Sequence, residues 1–220
     1  MQTDLFSSPP LDLYRFERRL HRLGYRLIAG IDEAGRGPLA GPVVAAAVIL
    51  HPDRPIAGVN DSKKLTERSR ERLFEQIQEA ALAIGIGSLP PVEIDRINIL
   101  QATRQAMLAA VCQLAPTPDA LLIDGITAID TPLYQQTITR GDSLSASIAA
   151  ASIIAKVTRD RLMRDYDTAY PQYGFGRHKG YGSAAHLAAL RRHGPCPIHR
   201  ASFRGVKELL HPASSVCIFN

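Results

Sequence analysis

The chain contains no tryptophan, and aromatic residues fill only 6% of its 220 positions. That scarcity excludes an extended stacking platform for single-stranded bases. Cysteines are also few. Cys112, Cys196 and Cys217 are odd in number, far apart and form no C-x-x-C pair, which excludes a disulfide framework and a paired-cysteine zinc site. No apolar run approaches the ~20 residues needed to span a bilayer, and the N-terminus has no basic-then-apolar signal pattern. A cytoplasmic protein in a reducing compartment, with no membrane partner, is expected. Internal repeats and low-complexity tracts are absent too, and no Gly-Lys-Ser/Thr follows the glycine-rich turn, so a nucleotide-binding P-loop is ruled out.

What is present is an uneven distribution of charge. The formal net charge is +5 and the pI about 9.3. Between Lys156 and Lys207 stand eleven Lys or Arg against three Asp, a surplus of eight, which leaves the rest of the chain at −3. Acids concentrated early and a basic last third are the asymmetry expected of an enzyme that handles nucleic acid. The length suits one α/β domain with a modest appendage.

The rest of the chain is organised around Leu27–Leu50. A short apolar run (Leu27, Ile28, Ile31) ends in two adjacent carboxylates, Asp32 and Glu33; a Gly- and Pro-rich turn follows, and then the nearly unbroken apolar run Val43–Leu50. Both runs read as strands, the second buried on both faces. An isolated Asp-Glu pair is ordinarily a solvated turn. Here it borders Gly35-Arg36-Gly37, a concave backbone segment with a guanidinium suited to phosphate. Two acids at a sheet rim are costly without a cation, so a metal-and-phosphate site is expected.

Downstream, Met1–Pro10 reads as a loose arm and Leu11–Gly24 as a short helix. Asn60-Asp61-Ser62-Lys63-Lys64 precedes a helix capped by Thr66 and running through Gln78. A lysine pair is most often a solvated surface feature; contact with phosphate is the sharper alternative for Lys63 and Lys64. Ala83–Leu89 reads as a strand of little bulk, with Gly85 and Gly87. Helical signals cover Glu93–Asp95 and Ile99–Leu114. Ala120–Ile123 is another apolar strand ending in a carboxylate, Asp124, at the edge where α/β sheets build sites. Tyr134–Thr139 reads as a strand, leading through Arg140-Gly141-Asp142-Ser143 to a helix over Leu144–Tyr166. Asp142 or Ser143 is its natural N-cap, the competing explanation for Asp142. Tyr173 to Gly182 reads as a flexible basic loop, followed by a short helix from Ser183 to His193 and irregular chain carrying Arg200, Arg204 and Lys207. His178 is placed to shuttle a proton, though most of seven histidines are expected to be bystanders. Asp130 reads as solvated and Asp61 as a turn residue.

With Asp32-Glu33, Asp124 and Asp142 in view, the chain closely resembles the ribonuclease HII family. The match rests on Asp32-Glu-Ala-Gly-Arg-Gly-Pro-Leu-Ala-Gly-Pro42, Asp61-Ser-Lys-Lys-Leu65, Ile123-Asp-Gly125, Gly141-Asp-Ser143, Ala151-Ser-Ile-Ile-Ala-Lys-Val-Thr-Arg-Asp160 and His178-Lys-Gly-Tyr181. These span about 27–207 in the family's order. The resemblance implies an α/β fold, a ribonuclease H-like mixed five-stranded sheet flanked by helices, with a small C-terminal helical extension over the substrate. In domain terms it implies an N-terminal arm and helix (1–24), a catalytic domain (25–169) and a basic extension with tail (170–220). The implied activity is metal-dependent endonucleolytic cleavage of RNA in RNA–DNA hybrids, and of single ribonucleotides in duplex DNA, leaving 3′-OH and 5′-phosphate ends. Carried over by position, Asp32, Glu33, Asp124 and Asp142 are the catalytic, metal-holding acids. Gly35, Arg36 and Gly37 form the loop that senses the 2′-OH, and Tyr181 packs on the sugar at the RNA-to-DNA junction.

Two Mg²⁺ or Mn²⁺ ions ~4 Å apart suit phosphodiester hydrolysis, and hard ions take oxygen ligands, which four carboxylates supply. The working assignment has Asp32 bridging both ions, Glu33 and Asp124 completing one site, and Asp142 belonging to the other. Basic residues after Lys156, with Lys63 and Lys64, would hold backbone phosphates and make affinity salt-dependent. A monomer suffices, and no protein partner is inferable. Two other classes compete: a transposase or junction resolvase, which would cut DNA without a 2′-OH sensor, and a non-catalytic hybrid-binding module, which would not cut with Mn²⁺.

Overall fold

The computed structural model describes residues 12–59, 62–63 and 65–210. The expected arm over Met1–Pro10, Asp61, Lys64 and the tail from His211 lie outside the described residues. The two apolar runs form a hairpin: β1 (Ile28–Ala34) pairs antiparallel with β2 (Val43–Leu50). β3 (Ala81–Leu89) adds antiparallel to the far edge of β2, while β4 (Ala120–Asp124) and β5 (Tyr134–Ile138) add in parallel beside β1. The result is a mixed five-stranded sheet of order β3-β2-β1-β4-β5.

Seven α-helices are described: α1 (Arg15–Arg22), α2 (Glu67–Ala80), α3 (Pro91–Cys112), α4 (Ala146–Ala169), α5 (Phe175–His178), α6 (Ala184–His193) and α7 (Lys207–Leu210). Helix α3 covers one face of the sheet; α2 and α4 cover the other. Strand β2 is apolar throughout because both faces are covered. Val43, Ala45, Ala47 and Ile49 join the core under α3, whereas Ala46 and Val48 join the core under α2 and α4. Leu121, Leu122 and Ile123 of β4 are fully buried, each worth about 1.5–3 kcal/mol on burial.

Missing side chains let the layers close. A Cβ on Gly85 or Gly87 would lie 2.0 Å from a carbonyl oxygen of α3, Ala110 or Ala106 respectively, and one on Gly30 would lie 2.1 Å from the Ser147 carbonyl carbon of α4. The two helical signals around residue 98 are one element with a kink. Asn98 has φ 69°, and its Oδ1 accepts from Gln101 N at 3.1 Å, restarting the helix as a cap would.

Two local expectations change. Helix α4 is capped by Ser145, whose Oγ accepts from Ile148 N at 3.3 Å, and not by Asp142 or Ser143. Those two residues lie in a short 3-10 turn, Gly141–Ser143, just before it. Tyr173 to Gly182 is not a loose loop either. Tyr173 and Phe175 are buried against Ala40, Met163 and Ile198, and α5 occupies its centre, because its aromatics carry enough apolar area to dock. Among the described residues no helix is long and apolar enough to cross a membrane.

Candidate active site

The parallel pairing of β1 with β4 sets Ile31 opposite Ile123, so Asp32 and Asp124 follow side by side at the strands' C-terminal ends. Neighbouring residues of a strand point to opposite faces. Asp32 accordingly turns to α4, where Ser152 bonds its carboxylate, and Glu33 turns to a cleft of about 350 Å³ shared with Asp124 and with Leu100 and Thr103 of α3. The Oδ1 of Asp124 accepts from Gly141 N at 2.6 Å, which ties the end of β4 to the turn carrying Asp142. Lys63 Nζ lies 4.0 Å from Asp142 Oδ2. All four expected acids therefore gather at one end of the sheet, Asp32 and Asp142 buried and Glu33 and Asp124 half-buried.

Burial, then the charges of Glu33 and Asp124, hold the Asp32 carboxyl well above the usual range; bonds from Ser152 and from Glu33 N (2.7 Å) pull the other way. Burial raises Glu33 as well. Arg36, 3.4 Å from its Oε1, opposes that rise, Asp124 adds to it and Lys63 opposes it. Among the described residues no three ligand-type side chains converge closely enough to hold an ion as they stand. Bare carboxylates gathered at one rim repel one another. The donor set at this edge is all oxygen, with no histidine or cysteine, and suits a hard divalent cation whose charge would relieve that repulsion.

The turn after β1 is held from beneath by two buried arginines that reading the sequence had assigned to the basic surface. Arg200 donates to Gly35 O (2.5 Å), Arg36 O (2.9 Å) and, from two nitrogens, Gly41 O (3.0 and 2.9 Å). Arg159 donates to Pro42 O (3.0 Å), Ala40 O (3.1 Å) and Lys179 O (3.0 Å). Burial, and then the neighbouring Arg159, pull the Arg200 guanidinium down to about 9, which leaves it charged at neutral pH. Gly35 has φ +95°, and a Cβ there would meet Arg159 Nε at 2.0 Å. This glycine is needed at least as much to admit Arg159 as to approach a ligand.

Other basic residues already have acidic partners. Arg161 pairs with Glu71 at 2.6 Å, and Arg164 pairs with Glu67 and Glu71, stapling α4 to α2. Lys156 pairs with Asp160 at 2.6 Å. The surplus counted along the chain thus overstates the surface open to phosphate. Formal charge does not reveal which cations already have carbonyl or carboxylate partners.

Gly35, Arg36 and Gly37 line a second cleft of about 290 Å³ together with Glu33, Lys63 and Tyr181. Tyr181 is 46% exposed, and its ring edge lies 3.8 Å from where a Cβ on Gly37 would stand. The structure thus brings the four acids, the Gly-Arg-Gly turn, Lys63 and Tyr181 to one rim. It does not bring His178 there as a proton shuttle: Gly180 N donates to Nδ1 (3.2 Å) and Nε2 meets Tyr173 O (2.8 Å), so both nitrogens are engaged by backbone. Asp130 is exposed, as expected. Sequence reading assigned no role to Ser152, which bonds Asp32 and, at 2.9 Å, Ser62 Oγ. Its only signal was a place within the Ala151–Asp160 stretch.

A family model described as Ribonuclease HII matches residues 29–206. A ribonuclease HII of Geobacter sulfurreducens is 61% identical over 218 residues, covering 99% of this chain and 100% of that one. Among solved structures, the ribonuclease H2 of Pyrococcus horikoshii OT3 superposes with a TM-score of 0.71 at 26% identity, covering 84% of this chain and 97% of the other. Bst-RNase HIII in complex with Mn²⁺ gives 0.64 at 22% identity, covering 88% and 72%, a likeness of fold alone.

Proposed function

This chain belongs to the ribonuclease HII family and is a ribonuclease H, and from that premise we propose that it cuts the RNA strand of RNA–DNA hybrids and single ribonucleotides in duplex DNA, with Asp32, Glu33, Asp124 and Asp142 as its metal-holding acids. The observation that carries this reading is the set of carboxylates at the ends of two adjacent parallel strands, where Glu33 and Asp124 both raise the Asp32 carboxyl. Two divalent ions, Mn²⁺ or Mg²⁺, would supply water activation and charge neutralisation of the leaving oxygen. Asp32, the most buried of the four, would contribute to holding both ions, Glu33 and Asp124 would help hold one, and Asp142 the other.

Selectivity for RNA requires reading the 2′-OH, the donor and acceptor that DNA lacks. With the carbonyls of Gly35 and Arg36 turned inward onto Arg200, the N–H groups of that turn are the ones left to face a ligand. Arg36 and Lys63 supply cations for the flanking phosphates, and Tyr181 supplies a ring for the adjoining sugar. Residues 25–169 form the catalytic unit in this reading, and 170–220 the basic extension that brings Tyr181. Cys112 and Cys196 are free thiols, in keeping with a cytoplasmic location.

The test is a duplex DNA carrying one ribonucleotide, incubated with the protein and Mn²⁺, Mg²⁺ or a chelator, with the ends mapped. Cleavage at the ribonucleotide to 3′-OH and 5′-phosphate ends, lost on chelation, is expected. Equal cutting of all-DNA duplex would favour a resolvase-like enzyme. Hybrid binding with no cutting in Mn²⁺ would favour a binding module.

A further inference from the structure

Behind Tyr181 lies a histidine pair with no assigned purpose. His186 is fully buried on α6, and His199 is nearly so in the chain that follows. Their Nε2 atoms are 3.0 Å apart. Two N–H groups cannot face each other at that distance, so one nitrogen donates and the other accepts. The flanking contacts fix which. The backbone N–H of Cys196, which can only donate, points at His199 Nδ1 from 2.9 Å; Cys196 Sγ lies 3.1 Å from the same nitrogen, and the Cys196 carbonyl oxygen is farther, at 3.3 Å, and already accepts from His199 N at 2.9 Å. His199 therefore carries its proton on Nε2 and gives it to His186 Nε2. His186 then carries its proton on Nδ1, which faces the carbonyl oxygen of Tyr181 at 2.9 Å, an acceptor as required. Every donor meets an acceptor with each ring neutral. Burial lowers both histidines, His199 to about 4, in agreement with two uncharged rings.

The surroundings hold this direction. His178 stacks on His186 at 4.4 Å with 13° between the planes, and Phe175 sets its edge against both rings. The Tyr181 backbone is the point of convergence: its N–H donates to His178 O (2.9 Å), and its carbonyl accepts from both Ser183 N (2.8 Å) and His186. At the other end, His199 bridges Ala40 while Arg200 N bonds Leu39 O at 2.8 Å, just beyond the Gly-Arg-Gly turn. The relay thus spans the space between the turn and Tyr181. The ring of Tyr181 is half-exposed, so its aim depends on its backbone.

We propose that His186 and His199 are positioning residues: a one-way, doubly neutral imidazole relay that sets the backbone, and hence the ring, of Tyr181 against the segment that follows the Gly-Arg-Gly turn. This rests on the reading above that Tyr181 meets the substrate's sugar. The unmodified full chain, labelled with ¹⁵N in histidine, should show Nδ1–H at His186 and Nε2–H at His199 between pH 7 and 8. The opposite tautomers, or a charged ring, would overturn the relay whatever variants do.

Kinetics supply the second arm, on duplex DNA with one ribonucleotide. His199→Phe removes the donor while keeping a ring; it should lower kcat/KM about tenfold, and His199→Gln, with a donor at the same reach, should restore most of that. Added to Tyr181→Ala, His199→Phe should cost less than a further threefold, because the ring it aims is gone. Multiplying losses would reduce the pair to ordinary core packing. If Tyr181→Ala alone leaves turnover intact, Tyr181 is no substrate contact and both readings of it fall. If Tyr181→Ala is impaired while His199→Phe is not, only the relay falls. Should His199→Phe not fold, His199→Gln and the tautomers decide.

Discussion

Replacing Arg200 with methionine sets a buried charge against the bonds it makes. The guanidinium is fully buried and has no bonded carboxylate; its partners are the carbonyls of Gly35, Arg36 and Gly41. Removing it strands those three oxygens. Arg36 is exposed, so its carbonyl rehydrates, whereas Gly35 and Gly41 are buried. Two unpaired buried acceptors cost about 2–6 kcal/mol together. Relief of the guanidinium's desolvation works in the opposite direction, as when buried ions are replaced by apolar residues. The bonds should win, with a net loss of about 2–4 kcal/mol. At a typical urea dependence of about 2 kcal/mol/M that is a midpoint lower by roughly 1–2 M. Urea unfolding followed by circular dichroism measures it, and Arg200→Lys, which keeps the charge but not the planar fork, should fall in between. An Arg200→Met midpoint equal to or above that of the unmodified protein would mean that burying this cation costs more than its bonds return. The account of the turn as pinned by Arg200 would then be wrong.

Further outcomes are expected at five positions. Asp32→Asn should abolish cleavage while hybrid binding persists. Because the folded-state pKa of Asp32 is raised, its charge costs stability that grows as pH climbs above the unfolded value; metal-free melting at pH 8 should therefore rise in Asp32→Asn, with the gain shrinking toward pH 4. Gly35→Ala should destabilise the metal-free fold by about 2–4 kcal/mol, since Arg159 fills the space. Gly37→Ala, with only the Tyr181 ring edge nearby, should melt normally and lose turnover alone. His199 has its pKa lowered from 6.5 to about 4, so the unfolded chain binds the extra proton. The His199 contribution to stability should be flat above 6.5, fall as pH drops from there and level off near 4, and a His199→Gln protein should lose that part of the slope while keeping what His186 adds. Finally, Lys63→Ala, at the rim of the site beside Asp142, should weaken hybrid binding and reduce the slope of log affinity on log salt by about one, whereas replacing Arg161 or Arg164, which staple α4 to α2 through Glu67 and Glu71, should leave that slope nearly unchanged.

The sequence by itself determined the strands of the sheet and the four acids. β1, β2 and β4 are short apolar runs bounded by turn residues, and Asp32, Glu33 and Asp124 stand at the ends of such runs; periodicity and punctuation are local properties that need no partner to be read. It also marked Gly85 and Gly87 as positions of little bulk, though not which helix would use the space. The tertiary structure alone decided the roles of the cations and imidazoles. Arg159 and Arg200 look like any surface arginine in the chain, yet they sit beneath a turn more than a hundred residues away in sequence. Ser145, not Asp142 or Ser143, caps α4, because the chain first makes the 3-10 turn Gly141–Ser143 that is tied to Asp124. The tautomers of His186 and His199 follow from the nearer backbone partner of each Nδ1, a carbonyl for His186 and an N–H for His199, and from the meeting of their Nε2 atoms, which folding brings about.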